Sequence, residues 1–139
     1  MSASVRMFED VIDFHRKFGI NYDGPPRSLP DSLTEFRMLR LAEEHTEYLD
    51  SITEHYTATH PFDKKVALEH QLDALVDLVY IALGTAHSHG WDFNEAWRRV
   101  HAANMAKVRA SEIHPGKYGD PSDIAKPPGW KPPTLSDLV

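Results

Sequence analysis

From Ala74 to Ala86 the chain reads ALVDLVYIALGTA, apolar or small at every position except Thr85, the phenol of Tyr80 and the single formal charge of Asp77. At ~100° per residue, Leu72, Leu75, Val76, Val79, Leu83 and Ala86 share one face, and Leu78, Ile81 and Ala82 carry apolar surface most of the way round. This predicts a central helix from about Lys64 to His89, with Gly90 as its stop. In TATHPFD before it, Pro61 should break the preceding helix and Asp63 should cap the new one. A carboxylate in so apolar a helix costs several kcal/mol to bury unless it is paired or holds a cation. Asp77 therefore needs a partner, and Asp73 lies four residues before it on the same face.

Periodicity predicts three further helices. Phe8, Val11, Ile12, His15 and Phe18 recur at helical spacing over Met7 to Phe18, with Gly19 in the C-terminal position. A second helix should start near Ser32 or Thr34, one of them serving as N-cap, and run to about Tyr56 with an apolar stripe of Met38, Leu41, Ala42, Leu49, Ile52 and Tyr56. A fourth, capped by Asp92, should run to about Ala110 on a stripe of Phe93, Trp97, Val100, Asn104 and Val108. The segment NYDGPPRSLPDSL is dense in Pro, Gly, Asp and Ser and reads as an ordered loop. Beyond Ile113 lie most of the ten prolines, with Tyr118, Ile124, Trp130 and Leu135 among them. That tail is too proline-rich for a long helix and too apolar for a plain linker. The expectation is an all-α four-helix bundle over residues 1–112, with an extended tail over 113–139 lying on the domain or on a partner subunit.

Bulk properties narrow the function. A chain of 139 residues that is 41% hydrophobic can bury one core, and no apolar run reaches the length of a membrane span. The N-terminus lacks a secretory pattern, so a soluble cytoplasmic protein is expected, in host cytoplasm if phage-encoded. Without cysteine there is no disulfide, thiolate zinc site or cysteine nucleophile. A net charge of −6 argues against a nucleic-acid polymer as partner.

The acids themselves are gathered. Glu43, Glu44, Glu47, Asp50 and Glu54 lie off the stripe of the second helix, where like charges three and four apart repel. A solvated face is the plain explanation of such a stripe. The alternative is a bundle site built from facing acids: Glu43, Glu44 and Glu47 on one helix, Asp73 and Asp77 on the next. Oxygen-only ligands select Mg²⁺ or Mn²⁺. A ferritin-like di-iron centre needs Glu-x-x-His on two helices, and no acid on the long helices of this chain has histidine three positions later. No glycine-rich phosphate loop and no GxSxG elbow occurs.

The segments RLAEEHTEYLDSI, DALVDLVYIALGTAHSHGWD and VHAANMAKV together resemble the MazG-like all-α nucleoside triphosphate pyrophosphohydrolases. The FHRKFG helix and the W-x-P-P tail are similar to those of short phage and bacterial members, including phage-type dATP/dGTP pyrophosphohydrolases. The family pattern is EExxE followed by ExxD. Glu43, Glu44 and Glu47 match the first part and Asp77 the last acid, whereas Ala74 stands where the ExxD glutamate belongs, leaving Asp73 to take the ligand role. The resemblance implies Mg²⁺-dependent hydrolysis of a (deoxy)nucleoside triphosphate, a purine dNTP first, to monophosphate and pyrophosphate. It implies metal ligation by Glu44, Glu47, Asp73 and Asp77, and catalytic carboxylates at Glu43 and Glu44, with Glu43 orienting the water. Asn104 and Lys107 match the NMxK segment and so imply phosphate contacts, joined by Lys126 and more weakly Lys117. Phe14, Phe18, Asn21 and Tyr22 are the candidates for the base pocket. A homodimer or homotetramer is also implied, consistent with a third helix too apolar for a lone monomer. The competing functions are a house-cleaning or dUTP-type hydrolase with another base preference, and a non-catalytic helical adaptor.

Overall fold

The computed structural model describes residues 6–139, which cluster into two compact units, one ending at Trp91 and the other spanning Asp92–Val139. Four helices and a single pair of two-residue strands make the fold all-α, as the periodicity predicts. No described helix is long and apolar enough to cross a membrane.

In the first unit, α1 (Met7–Lys17) buries Phe8, Val11 and His15 at spacings of three and four, and Gly19 closes it with φ 68°. Helix α2 (Asp31–Thr57) and helix α3 (Pro61–Ser88) follow and pack along each other, with α1 laid against α3. Their starts differ from the expected caps. Pro30 occupies the N-cap of α2 without a side-chain bond, and Thr34 Oγ1 instead donates back to the Pro30 carbonyl. Helix α2 ends at Thr57, and the break before α3 falls where expected; Pro61 is itself the first residue of α3, its missing N–H being unneeded in the first turn, and His60 Nδ1, not Asp63, accepts from the Phe62 N–H.

The larger correction concerns which face of α2 is inside. Met38 is 65% exposed, and Ala42, Leu49 and Tyr56 are exposed as well, while the residues α2 buries are Arg37, Glu44 and Ser51, seven apart. Helix α3 answers with Ala67 and Ala74 at the same seven-residue spacing. A heptad repeat of small side chains lets two helices approach closely along one seam. Leu68, Leu72, Leu75, Val76 and Val79, which dominate the greasy face of α3, remain exposed.

The loop after α1 is pinned to the end of α3. The Tyr22 N–H donates to His87 Nε2, Arg27 Nε donates to the Ser88 carbonyl, and the Arg27 guanidinium lies 3.6 Å from the Tyr22 ring centroid.

In the second unit, Asp92 Oδ1 accepts from the Glu95 N–H and caps α4 (Phe93–Met105), as expected. The helix stops at Met105, short of Ala110. Val108–Arg109 (β1) turns into a strand instead and pairs antiparallel with Ile124–Ala125 (β2), so Val108 does not extend the helical stripe and Asn104 is exposed. Trp130 Nε1 donates to the Ala103 carbonyl, and Arg99 grips Asp137 with both Nη atoms.

Candidate active site

The first unit contains a cavity of about 450 Å³ walled by α1, α2 and α3 and by Ile20 of the loop. Its apolar wall comprises Phe14, Ile20, Phe36, Tyr80 and Ile81, with the Phe14 ring edge-on to Tyr80 at 5.3 Å. Its polar wall is Glu44, Asp77, Arg37, Arg40 and His15. A narrower groove of about 220 Å³, also between α2 and α3, is lined by Glu47, Asp50, Ser51, Glu54, His70 and Asp73.

The five candidate acids are thus divided. Glu44 and Asp77 line the cavity, Glu47 and Asp73 line the groove, and Glu43 lines neither. Glu43 is exposed and takes Arg40 Nη1 at 2.5 Å. Arg40 Nη2 reaches Glu44 Oε1 at 3.2 Å.

Glu44 is 5% exposed, and its other oxygen, Oε2, is buried with no hydrogen-bond partner. Burial raises its pKa, the charges of Glu47 and Asp77 raise it further, and Arg40 only partly opposes them. A buried carboxylate oxygen with no donor, near enough to two more carboxylates to feel their charge, fits a cation, and an all-oxygen donor set fits a hard one such as Mg²⁺ or Mn²⁺. Among the described residues no three carboxylate or imidazole groups stand together as a ready cage. Glu44 and Asp77 could therefore hold an ion only with other oxygens completing its shell, as Mg²⁺ commonly does with water and phosphate.

Ala74 is 2% exposed and lies in the seam with α2. Asp73, its neighbour, is exposed in the groove. There His70 Nδ1 stands 2.9 Å from Glu54 Oε2, and that contact raises the His70 pKa.

Of the four base-pocket candidates, Phe14 lines the cavity and Phe18 packs on Phe14 at 4.8 Å. Asn21 donates to Asp23 Oδ2, and Tyr22 is held by Pro25, Arg27 and His87; neither lines the cavity. In the second unit, Lys107 Nζ and Lys126 Nζ lie 5.2 and 4.9 Å from the centroid of Trp130, gathered there by the β1–β2 pairing. Asn104 accepts the Lys107 N–H through its main-chain carbonyl, and Lys117 lies 5.4 Å from the Tyr118 centroid.

Sequence reasoning missed the buried bases of the cavity. Arg37 is 7% exposed, its Nη2 lies 3.2 Å from His15 Nε2, and its Nε has no partner. His15 is 2% exposed, and burial, then Arg37, lower its pKa to about 4. Since guanidinium nitrogens only donate, His15 Nε2 must accept, which fixes a neutral imidazole. Gly84 makes the room: a Cβ there would stand 2.7 Å from His15 Nε2 and 3.2 Å from Arg37 Nη1. A histidine on the buried stripe of α1 together with a glycine inside an otherwise apolar helix was the available signal.

The family model described as phosphoribosyl-ATP pyrophosphohydrolase matches residues 11–104, a span that includes all of α2 and α3 and every residue lining the cavity. No curated protein matches the chain.

Proposed function

We propose, from the premise that this chain belongs to the phosphoribosyl-ATP pyrophosphohydrolase family and so to the nucleotide pyrophosphohydrolases, that it hydrolyses a purine deoxynucleoside triphosphate to the monophosphate and pyrophosphate with Mg²⁺. The observation that carries this reading is the unpartnered Glu44 Oε2, buried beside Asp77 in a cavity with an aromatic wall. A triphosphate brings about four negative charges, so carboxylates attract it only through a bridging cation. Glu44 and Asp77 would hold that ion, with Glu47 and Asp73 contributing from the adjoining groove. The bound ion supplies Lewis-acid polarisation of a phosphoryl group and a more acidic water.

The residues of the chain do the rest. Phe14, Phe36 and Tyr80 give the base a dry face to stack on. Glu43, held on one side by Arg40, orients water. Hydrolysis breaks the anhydride between the α and β phosphates, water giving hydroxide to one side and a proton to the other. The exposed leucines and valines of α3 support a homodimer or homotetramer, which light scattering would read directly.

A second reading, phosphoribosyl-ATP as substrate, is favoured by the description of the matched family. Pyrophosphate release with Mg²⁺ across the dNTPs, dUTP included, and phosphoribosyl-ATP distinguishes the two. Preferential turnover of dGTP or dATP is expected; no pyrophosphate from any nucleotide would sink the enzyme reading.

A further inference from the structure

Arg37 and Arg40 lie on one face of α2, one turn apart, yet their charges are treated differently. Arg40 is neutralised by Glu43 and Glu44. Arg37 is more deeply buried, has no carboxylate within ion-pair distance among the described residues, and makes its one side-chain hydrogen bond to an uncharged ring. Burial and the Arg40 charge both lower its pKa. An unpaired buried guanidinium is among the most expensive features a small domain can carry.

The same cavity holds the opposite defect. Glu44 Oε2 lacks a donor or cation while Arg37 Nε lacks an acceptor, and the two do not satisfy each other. A ligand of a single sign would relieve one group and aggravate the other. A cation–polyphosphate carries both signs within one molecule, so it can answer the carboxylate with its metal and the guanidinium with its phosphate oxygens.

We propose that Arg37 is the phosphate-binding group of this cavity and that the His15 imidazole is the residue that positions it, an inference that rests on the nucleotide reading above. His15 Nε2 takes one N–H of the fork and so fixes the plane of the guanidinium. The part of the guanidinium fork that His15 does not engage, on a residue that lines the cavity, is left to donate to a phosphate oxygen. Gly84 completes the arrangement, since any side chain there would push the ring and the guanidinium off their places.

The test is calorimetric titration with magnesium tripolyphosphate, alongside steady-state kinetics on whichever nucleotide the wild type hydrolyses. Arg37→Gln is expected to weaken tripolyphosphate binding and to raise KM roughly 10- to 100-fold with little change in kcat, because a contact made equally in ground and transition states acts on KM. Unchanged affinity and KM would overturn the proposal. Should that variant fail to fold, Arg37→Lys carries the test: a point charge without the fork should lose about tenfold, and full affinity would overturn the inference. His15→Gln, which keeps an acceptor, should retain more affinity than His15→Leu; equal affinities would remove His15 from the positioning role. If the wild type releases pyrophosphate from no nucleotide, the functional reading fails, and the tripolyphosphate titration of the Arg37 variants still decides the anion site by itself.

Discussion

The α2–α3 cleft has two halves built from the same kinds of residue. The cavity holds Glu44 and Asp77 with two arginines and a buried histidine; the groove holds Glu47, Asp50, Glu54 and Asp73 with one exposed histidine. In the groove water screens the acids, and the one close pair, His70 with Glu54, sits in the open. In the cavity burial raises the Glu44 pKa and lowers that of His15, and polar atoms are left without partners. The same kinds of side chain are open to water in one half and largely withdrawn from it in the other. Desolvation, not composition, makes the difference.

The strongest way to break this comparison is to neutralise one acid in each half. Asp77→Asn should reduce pyrophosphate release by about 10²- to 10³-fold, whereas Asp73→Asn should cost less than about tenfold, if the metal depends mainly on the cavity. Equal losses would mean that the two halves hold one shared ion. Ala74 lies between them, buried against α2. Ala74→Glu, which restores the family pattern, should destabilise the metal-free protein by several kcal/mol, read by thermal melting, because it puts a long charged side chain at a position that is 2% exposed. Mg²⁺ should recover part of that loss.

Acid stability tests the buried histidine of the cavity. His15 binds a proton less readily when folded, with a pKa near 4 against 6.5, so the unfolded chain takes up the extra proton between those values. Its stabilisation is complete above pH 6.5 and is lost as the pH falls towards 4, roughly 3 kcal/mol in all. His15→Gln should flatten that part of the profile. The exposed histidine of the groove gives the smallest effect: His70→Ala should leave the melting temperature nearly unchanged, and high salt should shrink any shift further.

Much of this was legible in the sequence. The apolar run fixed α3 to within a few residues, Gly19 and Asp92 marked a stop and a start, and Asp77 announced itself as a charge out of place. The face of α2 was not legible. Its heptad of Arg37, Glu44 and Ser51 looks like surface, while Met38 and Tyr56 look like core, and only the small residues of α3 decide which set is covered. A periodicity argument assumes that apolar positions face inward within one chain, and a protein that leaves an apolar face open while burying polar groups around a cavity defeats it. The cavity was half legible: Glu44 and Asp77 were picked out by motif, but Arg37 and His15 come together where three helices meet, which no local spacing encodes. The β1–β2 pairing that ends α4 early depends on residues about fifteen positions apart and was hidden for the same reason.

The turn of α3 around Gly84 has a dynamic consequence. Glycine weakens helix locally, Thr85 Oγ1 donates back to the Ile81 carbonyl, and Ser88 Oγ donates back to that of Gly84 itself, two contacts of the kind that loosen or bend a helix ladder. The segment against which Arg37 rests is therefore a C-terminal turn whose own ladder is weakened and whose order depends on what packs against it. Amide hydrogens of residues 84–88 should exchange with solvent sooner than those near Ala74, and filling the cavity should slow them first.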